Sequence, residues 1–331
     1  MSNFEREKPM PYEVPHFING QPVTSQGRKL ALYNPATGEL SGHVAVADQA
    51  LLDKAVAAAH SAFQPWSSTP PPQRAKILFR YKTLLEQHKE KLAALVTQEH
   101  GKTLPEALGS VQRGIDVVDF ACGISYHLKG SFAEEVAKEI DCYSLHQPLG
   151  VCAGITPFNF PAMIPLWMLS MAIACGNTFI LKPSEKDPSC SLLLAELAQE
   201  AGVPDGVFNV IHGDKETVEA LLIQPDIKAI SFVGSSTVAE HVYKTGIANN
   251  KRVQAFGGAK NHCVIMPDAD VEPLVKLLVE SAYGSAGERC MALSVAVIIG
   301  DEMADRLIAR IRSEVKNLTI GPLVTQQHWE R

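Results

Sequence analysis

The chain contains no C-x-x-C pair and no Cys/His cluster with metal-ligand spacing, and its seven cysteines (122, 142, 152, 175, 190, 263 and 290) are an odd number. Zinc-finger architecture and a fully paired disulfide framework are therefore excluded, and a reduced, cytoplasmic setting is expected, with most thiols acting as small buried hydrophobes. A surplus of one charge is also missing: 30 basic against 36 acidic residues in 331 give −6, too little positive charge for a phosphate-neutralising stripe. The first residues, MSNFEREKPMPYEVPHF, hold acids and prolines but no apolar core, so neither a signal peptide nor a transit peptide is expected. No G-x-G-x-x-G occurs, which removes the usual glycine fingerprint for dinucleotides.

One long apolar run is present. Residues 148–181 contain no charge, but Pro157, Pro161 and Pro165 interrupt the first half and Gly176-Asn177 the end. A buried helix and strand of an α/β domain is the expectation, not a membrane span. With 46% apolar and 20% charged residues, the chain is long enough for two or more domains.

The pattern opens with short strands around FINGQPV and ALYNPATGEL, turning at Asn19-Gly20 and at 36–38. Helical spacing then predicts helices over 48–63, 73–100 and 104–128, with Pro70-Pro71-Pro72 as a loop. After a short β-like bridge at 139–146 the rhythm becomes strand–helix–strand: strands in VCAGIT, TFILK, FNVIHG, IKAISFVGS and HCVIM, helices over 163–174, 190–201, 217–222 and 238–245. Helices over 271–284 and 301–315 flank the β-prone MALSVAVIIG. Such alternation predicts a parallel sheet covered on both faces, with ligands beyond the carboxyl ends of the strands. TPFN, KPSE and VGSS stand at those ends.

Individual residues leave alternatives open. Cys290, in GERC between a helix and a strand, reads as an activated nucleophile or as an inert thiol opening a strand. Asn159 is an oxyanion donor or a turn residue capping the next helix. Lys182 and Glu185 are ribose ligands or a solvated loop, and Gly234-Ser235-Ser236 is a weak pyrophosphate signal at a helix start. His212 and His262 flank strands and read as structural.

Taken together, ITPFNFP (155–161), LKPSE (181–185), FVGS (232–235), GGAKNH (257–262) and GERCMA (287–292), in this order, resemble the aldehyde dehydrogenase superfamily and, within it, the CoA-acylating methylmalonate-semialdehyde (malonate-semialdehyde) dehydrogenase group. The resemblance covers residues 17–331. It implies an NAD-binding domain in 1–128 and 149–256, a β bridging and oligomerisation segment in 129–148, and the first part of an α/β catalytic domain in 257–331. It implies Cys290 as nucleophile, Asn159 with the Cys290 amide as oxyanion hole, and an NAD site at Phe158, Lys182, Ser184, Glu185, Gly213, Gly234 and Ser235. Arg113 and Arg289 would clamp the carboxylate of a semialdehyde. A homotetramer or homodimer is implied, with NAD, CoA and a small semialdehyde as partners and neither nucleic acid, metal nor membrane.

The sequence departs from the family at Ala255, where hydrolytic members have a glutamate that activates water. Without a base there, CoA is the expected acceptor of the acyl group. A hydrolytic enzyme and an inactive truncated relative are the alternatives, since relatives continue beyond this C-terminus and have a loop that is shortened within 318–322. Glu288, where glutamine is common, would disfavour a nearby thiolate or pair with an arginine.

Overall fold

The computed structural model describes residues 12–321. The residues before Tyr12, on which the no-leader expectation falls, and the end of the 318–322 segment with all that follows, lie outside them. Five short strands come first: β1 (Tyr12–Val14), β2 (His16–Ile18), β3 (Gln21–Val23), β4 (Lys29–Tyr33) and β5 (Leu40–Ala45). Asn19 and Gly20 join β2 to β3 with φ of 52° and 74°, the left-handed pair that lets a two-residue turn follow strand twist. β1, β5 and β4 form a sheet of their own.

Helices α1 (Gln49–Ser67), α2 (Pro71–Gln87), α3 (Lys89–His100), α4 (Leu104–Cys122) and α5 (Ile124–His127) follow. The Asp48 carboxylate caps α1 by accepting from the Leu51 amide. Three expectations are corrected here. Pro71 and Pro72 form the first turn of α2, where an absent N–H leaves no bond unmade. The helix predicted over 73–100 breaks at His88 (φ −99°, ψ 12°), so that α2 and α3 each turn an apolar face into one core: Leu78, Tyr81 and Leu85 from the first, Leu92, Ala93 and Val96 from the second. The helix over 104–128 likewise splits at Gly123.

Strands β6 (Phe132–Ala137) and β7 (Ile140–Tyr143) pair as an antiparallel hairpin in which every residue is exposed. The alternating region then runs β8 (Val151–Ile155), α6 (Met163–Ala174), β9 (Thr178–Lys182), α7 (Ser189–Glu200), β10 (Phe208–Val210), α8 (Lys215–Ile223), β11 (Ile227–Val233), α9 (Ser236–Ala248) and β12 (Arg252–Phe256). The sheet order is β12-β11-β8-β9-β10-β2-β3, parallel from β12 to β10 and antiparallel through β2 and β3. β8 and β9 are buried at every residue, as central strands covered on both faces must be. The charge-free run thus divides into β8, a 12-residue helix and β9. Among the described residues no helix is long and apolar enough to cross a membrane.

Asn177 ties this unit together. Its Oδ1 accepts from the amides of Leu149 (2.7 Å) and Gly150 (3.2 Å), and its Nδ2 donates to the Ala172 carbonyl. Finally β13 (Asn261–Ile265), α10 (Val271–Tyr283), a 3-10 turn (Gly284–Gly287), β14 (Leu293–Ile298) and α11 (Asp301–Lys316) form a smaller parallel pair under two helices, with Ile265, Val271, Val275, Leu278, Met303 and Leu307 at its core.

Candidate functional site

The carboxyl ends of β8, β9 and β11 lie side by side, and the Thr156 amide donates to the Lys182 carbonyl across the first two. The three motifs at those ends therefore share one edge of the sheet. The β8 end carries Pro157, Phe158 and Asn159. From there the Nδ2 of Asn159 donates to the Glu288 carbonyl at 2.9 Å, which brings the oxyanion candidate to the turn bearing Cys290. An amide nitrogen has two N–H groups, so one remains for a substrate oxygen. Because a carbonyl only accepts, the bond to Glu288 fixes which side of the amide is the nitrogen; among the described residues the buried Oδ1 has no partner.

Cys290 is an exposed free thiol. The backbone leading to it is unusual: Ser285, Ala286 and Gly287 all have positive φ, at 55°, 56° and 74°. Non-glycine residues held there cost about 1–3 kcal/mol each and persist only when the surroundings impose them. Those surroundings are visible. The Ser285 amide donates to Glu106 (2.7 Å), Asn261 Nδ2 donates to the carbonyls of Cys290 (2.8 Å) and Ala292 (2.9 Å), and Asn159 holds Glu288.

Arg289 donates through Nη2 to the carbonyls of Glu280 and Ser281, where a cation at the end of α10 meets the negative pole of that helix. Among the described residues its buried Nε has no partner. Arg113 is exposed on α4. Among the described residues Glu288 pairs with no arginine. Its carboxylate lies 3.4 Å from the His100 ring nitrogen, and burial pushes His100 down to about 4, so at neutral pH the ring is uncharged and the contact is no ion pair.

The second half of the site is a nucleotide-shaped edge. Lys182 ends β9 with its side chain buried and its ammonium 3.2 Å from Glu185. Ser184 Oγ accepts from the Lys186 amide, and Lys186 Nζ sits 4.5 Å over the Phe158 ring, which stacks on His100. A Cβ at Gly234 would come within 2.5 Å of the Phe232 ring, and one at Gly213 would overlap Thr217, so both glycines let the backbone lie where a side chain could not. Ser235 begins α9 with an exposed side chain that makes no cap bond, leaving the first-turn amides and the hydroxyl open to an anion. These residues fit a dinucleotide: a cation–carboxylate pair for ribose hydroxyls and a helix start for the pyrophosphate.

Ala255 lies on β12 opposite Phe232, half-buried among the apolar residues behind the sheet, and no carboxylate stands at that position. His212 is fully buried, its amide donating to Nδ1 of His16, whose ring stacks on it at 5.6 Å. Burial pushes His16 to about 4 and His212 to about 3, so both are neutral structural groups. His262 is exposed with Nδ1 on the Lys260 carbonyl.

Sequence reasoning missed the residues between α3 and α4. Lys102 is 2% exposed, and its Nζ donates to the Asn159 carbonyl at 2.6 Å while resting 4.1 Å above the Phe160 ring. Burial drives Lys102 down to about 8, and the same cause pushes Asp187, 1% exposed, well above the usual carboxylate range.

The Aldehyde dehydrogenase family profile matches residues 23–329. Malonate-semialdehyde dehydrogenase of Pseudomonas aeruginosa is 56% identical over 306 residues, covering 92% of this chain. A solved Sinorhizobium meliloti protein, described as a methylmalonate-semialdehyde dehydrogenase complexed with NAD, superposes with a TM-score of 0.93 at 51% identity over 95% of this chain. Methylmalonate-semialdehyde dehydrogenase of Oceanimonas doudoroffii gives 0.92 at 52% identity over 94%. The chain spans 62% of the Pseudomonas protein and 64% of each solved chain.

Proposed function

Because the chain belongs to the aldehyde dehydrogenase family, we propose that it takes part in NAD-dependent, CoA-acylating oxidation of malonate or methylmalonate semialdehyde, giving acetyl-CoA or propionyl-CoA with loss of the β-carboxyl as CO2 or bicarbonate. The observation that carries this reading is the Asn159–Glu288 hydrogen bond, which gathers an oxyanion donor and an exposed thiol at the ligand-binding edge of a parallel sheet.

In this reading the Sγ of Cys290 adds to the aldehyde carbon and the carbonyl oxygen gains negative charge. The free N–H of Asn159 and the Cys290 amide donate to that oxygen as charge develops on it. Lys182 and Glu185 hold the adenosine ribose of NAD, Phe158 and Ser184 line the same edge, and Gly213, Gly234 and Ser235 accommodate its phosphates. NAD, when bound, accepts the hydride that leaves the former aldehyde carbon. Cys290 then retains the acyl group as a thioester, which loses its β-carboxyl as CO2 or bicarbonate, the α-carbon taking up a proton in its place, before CoA attacks. Alanine at 255 offers no base to activate water, so the CoA thiolate attacks the thioester and the Cys290 thiolate departs. Arg113, exposed on α4, is the cation proposed for the substrate carboxylate, with Arg289 near the nucleophile.

The reading extends to a homotetramer or homodimer assembled through the β6–β7 hairpin, supported by exposed Phe132, Val136, Ile140 and Tyr143, and to a reducing, cytoplasmic setting, supported by seven unpaired cysteines. Omission of CoA is the test. NADH formation that requires CoA, and stops after about one equivalent per chain without it, is the expected result. Sustained NADH production in its absence overturns the acylating assignment.

A further inference from the structure

Two parts of the site far apart in sequence converge on one short segment. Lys102 grips the Asn159 backbone, and Glu106, four residues on, accepts from the Ser285 amide at the start of the left-handed run before Cys290. Glu106 is itself fixed. Its Oε2 accepts from the Thr103 amide and hydroxyl in a reciprocal cap at the start of α4, so the carboxylate aimed at Ser285 belongs to a rigid helix end. Lys102 is fixed by burial and by the Phe160 ring beneath its ammonium.

We propose that the segment 100–106 is a positioning clamp for the nucleophile and oxyanion donor, with Lys102 acting through Asn159 and Glu106 acting through Ser285. The role rests on the thioester reading above. Neither residue touches the reacting atoms, so both are positioning residues. The geometry gives the reason such a clamp is needed. Asn159 leaves a strand end of the large sheet, whereas the Cys290 turn belongs to the small β13–β14 unit, and an oxyanion hole works only if donor and nucleophile keep their separation. One helix start that holds both backbones sets that separation. A buried ammonium is retained because it satisfies the Asn159 carbonyl while Asp187, Glu106 and Glu288 partly offset its desolvation.

The test uses the purified full chain carrying Lys102→Met, which keeps the aliphatic stem over Phe160 and removes the donor. Hydrogen–deuterium exchange is expected to quicken only in peptides covering 156–162 and 284–292. kcat is expected to fall about 100-fold with KM within about two-fold, as for a misplaced rather than a missing group. Added to Asn159→Ala, the same substitution is expected to change kcat by less than about two-fold, since its route runs through that residue. Glu106→Ala is expected to quicken exchange at 284–292 and leave 156–162 unchanged. Exchange raised uniformly, or kcat losses that multiply on the Asn159→Ala background, overturn the proposal and leave Lys102 an ordinary core residue. Exchange needs no turnover: a chain that oxidises no aldehyde defeats the thioester reading, and the clamp is then decided by exchange alone. If Lys102→Met does not fold, unchanged exchange at 284–292 in Glu106→Ala overturns the clamp.

Discussion

The side-chain amide of Asn159 and the backbone carbonyl of Glu288 are joined by a 2.9 Å hydrogen bond across 129 residues of sequence. Everything proposed for the site depends on that bond. It is the direct link between the end of β8 and the turn that carries Cys290, and it leaves one donor of the amide free.

Replacing Asn159 by alanine therefore removes both the link and the donor. kcat for semialdehyde oxidation is expected to fall about 100- to 1000-fold, the usual loss for one oxyanion-hole donor. Iodoacetamide labelling of Cys290, followed by peptide mass spectrometry, checks that the thiol stays accessible.

Arg113 is tested by substrate comparison. Arg113→Ala is expected to raise KM for malonate semialdehyde about tenfold or more and to leave propanal unchanged, because a clamp for a carboxylate has nothing to hold in an uncharged aldehyde. An equal effect on both substrates removes Arg113 from the substrate site.

Gly234→Ala places a methyl against the Phe232 ring, which already packs under the β11 end. The loop must shift, at a cost of about 1–3 kcal/mol. Weaker NAD binding by fluorescence titration is the expected outcome, with a smaller change in the urea midpoint.

Asn177→Leu deletes the acceptor shared by the Leu149 and Gly150 amides. The Gly150 N–H is buried and costs about 1–3 kcal/mol unpaired, while that of the more exposed Leu149 can turn to water, so chemical denaturation is expected to show a loss of about 1–3 kcal/mol in stability.

The His16–His212 stack makes a prediction about acid. Both histidines have folded values, about 4 and about 3, below the ordinary 6.5. The unfolded chain therefore binds more protons, and their contribution is fully present above pH 6.5 and lost as pH falls toward 4 and then 3, at about 1.4 kcal/mol per unit for each ring. Asp187, raised by burial, acts in the opposite sense over part of that range. The comparison to make is thus between slopes: His16→Gln is expected to flatten stability against pH between 6.5 and 4.5 by about one proton.

Much of the fold was legible because its signals are local. The helix over 163–174 emerged with the bounds its apolar run suggested, and the strand ends at TPFN, KPSE and VGSS fell on one edge, as alternation in a parallel sheet requires. The break at His88 was not legible. Nothing in QHKEK stops a helix, and the bend comes from two apolar faces turning toward one core. β12 was missed as well, since RVQAF is short and half-exposed and becomes a strand by pairing with β11. At the site, the proposed nucleophile and oxyanion donor could be named from motifs. Lys102 could not, because its polar neighbours in HGKT read as loop and its partner lies 57 residues away. Arg289 illustrates the converse: a cation beside Cys290 in sequence, it donates in space to the end of the preceding helix, α10.

The large sheet ends differently at its two borders. At one, Ile18 and Gln21 flank the two-residue turn and bond to each other, so the next pair, Phe17 and Pro22, directs its backbone groups away from the partner strand. The outward-facing position of β3 is thus occupied by a residue with no N–H to offer, and a stray strand arriving there finds its ladder interrupted at once. At the other border, β12 carries no proline. Any strand recruited from another molecule, in crowding or on heating, would have its open template beside Arg252, Gln254 and Phe256, and aggregation of this protein would therefore be polar in the geometric sense, growing from one side of the sheet.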